Sequence, residues 1–253
     1  MSLKSGHPIT PHVKVCHLDP FTVVDPALIT KLASWLDNTE KARLARFKQA
    51  EHQHAFLVSH ALLRKALADR IGCTPREIRF GAIGRDKPVL SWPAPERALH
   101  FNLSHTRAMA AVALSSEPLG LDVEWLGRQN AGPELATRFF SAAEQTDIVN
   151  QPLSHQQERF LTYWTLKEAF LKAEAWGIVD RLDGFEFELD PNGPDWPAQI
   201  RLQVNDPRLN PTHPWRFGHW KISPQHLLSL AYSPGGHPCD KIDLQAWTEC
   251  DWD

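Results

Sequence analysis

Cysteine is scarce and scattered in this chain. Its four residues, Cys16, Cys73, Cys239 and Cys250, form no paired-cysteine motif of the kind that builds a zinc knuckle or a redox pair. They read as free thiols of a reducing compartment, with a disulfide left open by the spacing alone. Long hydrophobic runs are also missing. The longest purely apolar stretch, Met109 to Leu114, is far short of the ~20 residues that cross a bilayer, and Met1 to Val15 is polar and proline-interrupted with no apolar core. Cytoplasmic location and no membrane partner are therefore expected. Nor is there an excess of one charge: 27 Lys and Arg stand against 30 Asp and Glu, a formal net charge of −3. That balance gives no global field for nucleic acid, so any basic site must be local. Thirteen His are present, yet no His-x-x-x-His pair is joined to a third ligand, and His52 and His54 lie two apart on a presumed helix, pointing in different directions.

What is present suits an ordinary soluble globule: 253 residues, 42% hydrophobic and 23% charged, enough for one large domain or two of about half the length. A strand is expected over His12–Leu18. Asp25-Pro26 then pairs an N-cap with proline at the first helical position, opening a helix to about Leu36. Thr39 opens a second helical region that runs to Ile71, with Gly72 placed to end it. Its early part carries Lys41, Arg43, Arg46 and Lys48, either a solvated helix face or a local anion site. Thr74-Pro75-Arg76-Glu77 has the form of a capping box before a strand over Ile78–Ile83, and Gly84-Arg85-Asp86-Lys87-Pro88 is a turn.

From Leu99 the pattern changes to short strands, His100–His105, Met109–Leu114 and Leu119–Glu124, joined by turns too short for helical crossovers and therefore expected as an antiparallel meander. Asp122 and Glu124 are two apart, so both carboxylates leave the third strand on one face. Carboxylates at this spacing repel, and they need exposure, protonation of one, or a cation between them. Helices follow over Glu134–Phe140, from the capping box Ser141-Ala142-Ala143-Glu144 to Val149, and over Gln156–Trp176; four strand-like runs follow, from Gly184 to Tyr232. The order of helices then strands occurs twice, with a seam near Pro118. In the long helix Phe160, Trp164 and Leu171 form an apolar side flanked by Glu168 and Lys172, one turn apart. Alone, such a pair is a surface ion pair worth a few tenths of a kcal/mol.

Together, Gly84-Arg85-Asp86-Lys87-Pro88, Phe101-Asn102-Leu103-Ser104-His105, Gly120-Leu121-Asp122-Val123-Glu124 and Trp164-Thr165-Leu166-Lys167-Glu168-Ala169-Phe170-Leu171-Lys172 resemble the ordered motifs of the 4′-phosphopantetheinyl transferases. The resemblance is to the larger, pseudo-duplicated type that serves peptide, siderophore, fatty-acid and polyketide synthases. It implies an α+β fold of two similar halves, 1–118 and 119–253, each with helices packed on a mainly antiparallel sheet, related by pseudo-twofold symmetry with the active site in the cleft between them. It implies transfer of the phosphopantetheine arm of coenzyme A to a serine of an apo acyl or peptidyl carrier protein. Carried over by motif, Asp122, Glu124 and Glu168 are the expected Mg²⁺ ligands, Glu168 is also the general base, and Lys172 contacts the phosphates. Ser104 and His105 are expected at the coenzyme A phosphates, His105 as part of the catalytic set. Lys87 with Pro88 is expected at the 3′-phosphate end, with Lys41, Arg43 and Arg46 completing the nucleotide pocket. Lys167 is placed at the rim, and Arg138 and Arg159 could meet an acidic carrier. Ala55 and His60 stand where relatives frequently carry arginine. A monomer is expected, since one chain already holds both halves.

Overall fold

The structure, a computed structural model, describes residues 13–83, 87–94, 98–129, 131–176, 182–189, 200–235 and 242–252. Strand β1 (Val13–Leu18) leads to helix α1 (Pro26–Ala33), whose Asp25 cap accepts from the Ala27 and Leu28 amides. The single helical region expected from Thr39 is two helices, α2 (Asn38–Leu44) and α3 (Ala50–Ile71). Glu40 accounts for the break. It closes the α2 capping box with Asp37 and is buried against Arg64 of α3, so α2 lies across α3 and cannot run on into it. Arg64 is itself fully buried, donating to the carboxylates of Asp37 and Glu40 and to the carbonyls of Pro75 and Ile78. Gly72, with φ 81°, ends α3 in left-handed backbone.

A hairpin of β2 (Arg79–Ile83) and β3 (Lys87–Trp92) precedes β4 (His100–Thr106), β5 (Met109–Ser115) and β6 (Leu119–Trp125). Only the first two of that trio form the expected antiparallel ladder. Strand β6 leaves the meander. After α4 (Pro133–Phe139), α5 (Ala142–Asn150), α6 (Leu153–Glu174), the hairpin β7 (Phe185–Leu189) and β8 (Ile200–Val204), and β9 (Arg216–Ser223), it finds its partner in β10 (His226–Tyr232). Strand β11 (Ile242–Ala246) then returns to pair with β1, the one parallel pairing among the described strands. The main sheets are thus β11-β1-β5-β4 and β6-β10-β9. The last segment, although it comes from the expected second half, is seated on the first sheet.

Strand alternation sets the layers. On β5, Ala110, Val112 and Leu114 face α3, whereas Met109, Ala111 and Ala113 face the second sheet. On β6, Leu119, Leu121 and Val123 enter that same inter-sheet core, which leaves Gly120, Asp122 and Glu124 on the opposite face, toward α6. The order of layers is helix α3, first sheet, second sheet, helix α6, a mixed α+β architecture with mainly antiparallel sheets.

Lys167 corrects the placement at the rim. It is fully buried, paired with Glu144 of α5 at 2.9 Å and donating to the carbonyls of Leu182 and Phe185 at 2.7 and 2.6 Å. A residue one step along a helix from Glu168 turns by about 100°. Because α6 is covered on most of its circumference, that turn leads inward.

Candidate active site

Close contact between β6 and α6 assembles the site. A Cβ on Gly120 would lie 2.1 Å from the Ala169 carbonyl oxygen and 2.4 Å from the Ala173 amide nitrogen, so only glycine lets the helix lie directly on the strand. Glu168 and Lys172, each one residue before those alanines, are thereby brought to the carboxylate face of β6. Strand β4 closes the other side without a backbone ladder. Its side chains substitute for one: Asn102 Oδ1 accepts from the Leu121 amide at 3.0 Å, and Ser104 Oγ accepts from the Val123 amide at 3.2 Å.

At the centre stands Asp122, 6% exposed. Its Oδ1 accepts from Lys172 Nζ at 2.6 Å and from Ser104 Oγ at 3.0 Å, while Lys172 also donates to Ser104 Oγ and the Leu121 carbonyl, both at 3.2 Å. Oδ2 is buried and has no hydrogen-bond partner among the described residues. Two strands and a helix thus meet at one carboxylate with one oxygen left over. Glu124, two residues on, pairs with Arg128, whose guanidinium lies 5.0 Å over the Trp164 ring. Burial and the Asp122 charge raise the Glu124 pKa to about 6 against the opposing pull of Arg128 and Lys172. The same two causes, burial first and Asp122 second, raise that of Glu168.

Among the described residues, no group of three His, Cys, Asp or Glu side chains is gathered as a ready metal site. The expected trio of Asp122, Glu124 and Glu168 shares one neighbourhood, with side-chain cations on two of its members.

On the other face of β4 the pleat points His105 into a cleft of about 900 Å³, walled by Phe21, Phe47, Ala55, Phe56 and Thr106. Ser104 and His105, expected to act together, therefore face opposite ways. His105 is open to the cleft, but the surrounding walls, then His60, Lys172 and Arg43, lower its pKa and favour the neutral ring. Arg43 lies 5.5 Å over the Phe56 ring, and Lys41 and Arg46 are exposed nearby. Ala55 forms cleft wall. His60 is turned away to Glu40 at 2.8 Å and stacks on Phe56. Lys87 opens β3 opposite Ile83 with its side chain outside the described residues, as are 84–86; Pro88 is exposed opposite Ala82. Arg159 is paired with Asp147, and Arg138 lies over Phe139.

Sequence reasoning missed Asn102, Arg128 and the cleft aromatics Phe21 and Phe47. Arg128 carried a faint signal, since it follows Glu124 by four residues. The spacing is helical, however, and the segment is a turn, so the usual rule did not apply.

A family model described as the 4′-phosphopantetheinyl transferase superfamily matches residues 118–231, and one described as the 4′-phosphopantetheinyl transferase N-terminal part matches 26–118. The chain is 36% identical over 164 residues to the 4′-phosphopantetheinyl transferase HetI of Nostoc sp., covering 64% of this chain and 69% of that one. It is 34% identical over 217 residues to a Bacillus subtilis 4′-phosphopantetheinyl transferase, covering 84% and 88%. A mouse relative, L-aminoadipate-semialdehyde dehydrogenase-phosphopantetheinyl transferase, is 27% identical over 217 residues, covering 81% and 70%. With both family models laid end to end along the chain, and the carboxylate cluster inside the one over 118–231, the protein is an enzyme of the 4′-phosphopantetheinyl transferase family, of its larger type.

Proposed function

We propose that the protein transfers the 4′-phosphopantetheine arm of coenzyme A to a serine hydroxyl of an apo acyl or peptidyl carrier protein, releasing 3′,5′-ADP. The observation that carries the reading is Asp122, held on one oxygen by Ser104 and Lys172 from two other elements and left with a buried Oδ2 that has no partner among the described residues. A buried acceptor without a donor calls for a partner. Three carboxylates in one neighbourhood fit a hard cation that prefers oxygen, so Asp122, Glu124 and Glu168 would hold Mg²⁺. When bound, the ion supplies charge neutralisation at the coenzyme A pyrophosphate.

The chain's own groups do the rest. Glu168 accepts the proton of the serine hydroxyl as the new O–P bond forms and the bond to 3′,5′-ADP breaks. Lys172 lends its ammonium to the departing phosphates. His105 meets a phosphate oxygen as an N–H donor. The aromatic cleft beside it takes the nucleotide end of coenzyme A, with Arg43, Lys41, Arg46 and the Lys87-Pro88 segment around it.

The same reading takes the chain as two related halves, 1–118 and 119–253, with the substrate between them and a monomer as the working unit. Its support is the order β1-β5-β4 beside β6-β10-β9, and a buried Glu–cation pair in each half, Glu40 with Arg64 and Glu144 with Lys167, each cation also bonded to two carbonyls after its helix. The segment 242–252 departs from it by crossing back to β1.

Mass spectrometry of an apo carrier domain incubated with the protein, coenzyme A and Mg²⁺ tests the assignment. A gain of the phosphopantetheine mass is expected, with Glu168→Gln slowing it by about 10²–10⁴-fold while coenzyme A still binds. An unmodified carrier overturns the function. A near-normal rate in Glu168→Gln overturns the role of the base.

A further inference from the structure

Both strand carboxylates of the site already have a cation, but in different ways. Asp122 keeps a second oxygen without a partner among the described residues while Lys172 holds the first. Glu124 is matched by Arg128, a residue that no motif of the sequence singled out. The backbone of Arg128 is fixed on both sides, its amide donating to the Trp125 carbonyl at 3.1 Å and its carbonyl accepting from Gln157 Nε2 of α6 at 2.7 Å. The side chain is 37% exposed and, among the described residues, meets the Glu124 carboxylate and the face of Trp164, one turn before Glu168 on α6. A guanidinium can leave a carboxylate without being released to solvent when an aromatic face holds it.

We propose that Arg128 is the built-in counter-cation of Glu124, which a divalent ion must displace to use that carboxylate, and that Trp164 keeps the displaced guanidinium beside the site. This rests on the metal reading of Asp122, Glu124 and Glu168. Two cations on one carboxylate repel each other, and although solvent at the 37% exposed Arg128 screens part of the repulsion, the mostly buried Glu124 carboxylate keeps the rest. Arg128 therefore keeps Glu124 neutralised in the metal-free protein and sets the metal concentration at which the site fills. It is a positioning residue, since it touches a ligand carboxylate and not the reacting atoms.

The test is titration of the full-length protein with Mn²⁺, without coenzyme A, followed by electron paramagnetic resonance of the free ion. Arg128→Gln is expected to bind Mn²⁺ about tenfold more tightly than the parent. Arg128→Lys, which keeps the charge without the planar stack, is expected between the two. A merely structural role for Arg128 gives the opposite sign, because loosening the loop weakens binding. Equal or weaker binding by Arg128→Gln, with thermal melting showing that the variant is folded, overturns the proposal. Asp122→Asn separates the two layers of the argument: if it binds Mn²⁺ as well as the parent, the metal reading itself fails. If Asp122→Asn loses the ion and Arg128→Gln gains nothing, only the role of Arg128 falls. Absence of binding by every protein overturns both.

Discussion

At the scale of single residues, neighbours one step apart on an element have unrelated fates. Ser104 faces a buried carboxylate and His105 an open cleft; Lys167 is sealed in the core and Glu168 reaches the site. The divergence is a matter of angle, 180° along a strand and about 100° along a helix. The helical angle was read correctly between Lys167 and Glu168, whereas the strand alternation was not applied to Ser104 and His105, which were expected together. Sequence alone did not indicate which side of α6 met water, because Glu144, the partner that makes the interior habitable for Lys167, lies far back along the chain. Burial disfavours both charges of that pair, and their mutual attraction with two carbonyls and two amide donors holds them in place. Lys167→Met leaves the Glu144 carboxylate buried and unpaired, and chemical denaturation is expected to show a loss of about 3–5 kcal/mol. Replacing Glu144 by Gln in the same chain should restore part of it. A single variant as stable as the parent would show that the pair contributes nothing.

At the scale of elements, strands, caps and glycine stops were legible because their signals are local. The boundaries of β4 and β5, the capping boxes Thr74–Glu77 and Ser141–Glu144 and the Gly72 terminus depend on residues within one turn, whereas the α2 cap at Asp37 was passed over. Partner choice was not legible. Strand β6 had the length and spacing for a ladder with β5, but its ladder runs to β10, and β4 reaches it through Asn102 and Ser104 instead. That second sheet carries a polar row beneath α6. Ser229 lies opposite both Asp122 and His219 in the ladder, bonds His219 Nδ1 at 2.8 Å, and donates to Thr165 of α6 at 2.8 Å. The row fixes the helix in register above Asp122, and it makes the fold sensitive to acid. Burial pushes the His219 pKa down to about 3. A histidine lowered on folding is neutral in both states above its ordinary value near 6.5, so its stability contribution is complete there. Below that value the unfolded chain takes up a proton that the folded chain refuses, and stability falls until about pH 3. Denaturation at pH 7 and pH 5 is expected to show about 2 kcal/mol of acid destabilisation that His219→Gln lacks. An equal pH slope in the two proteins would place the acid sensitivity elsewhere.

At the scale of the whole molecule, the inter-sheet core decides whether the two main sheets, and with them the proposed halves, behave as one body. Val15, Ala111 and Ala113 of the first sheet pack against Leu121, Val123 and Leu230 of the second, all fully or almost fully buried. A second tie comes from the end of the chain. Strand β11 adds to β1, and Trp252 packs against Trp35 and Trp247 in the first core. Neither tie could be read from the order of helices and strands in the sequence, which says nothing of what would hold the proposed halves together. The site needs both, since Ser104 comes from one sheet and Asp122 from the other. If the halves unfolded separately, the first transition would already separate those two residues, and activity would be lost well before the fold. The packing instead predicts one cooperative calorimetric transition with equal calorimetric and van't Hoff enthalpies. Leu230→Ala, at the centre of the shared core, removes contacts from both sheets at once. It should lower that single transition by the equivalent of about 2–5 kcal/mol without splitting it. Two resolved peaks, in the parent or the variant, would mean that the inter-sheet core is not what joins the halves. One displaced peak, with carrier modification lost at the same temperature, would establish that the carboxylate site and the fold melt as a unit.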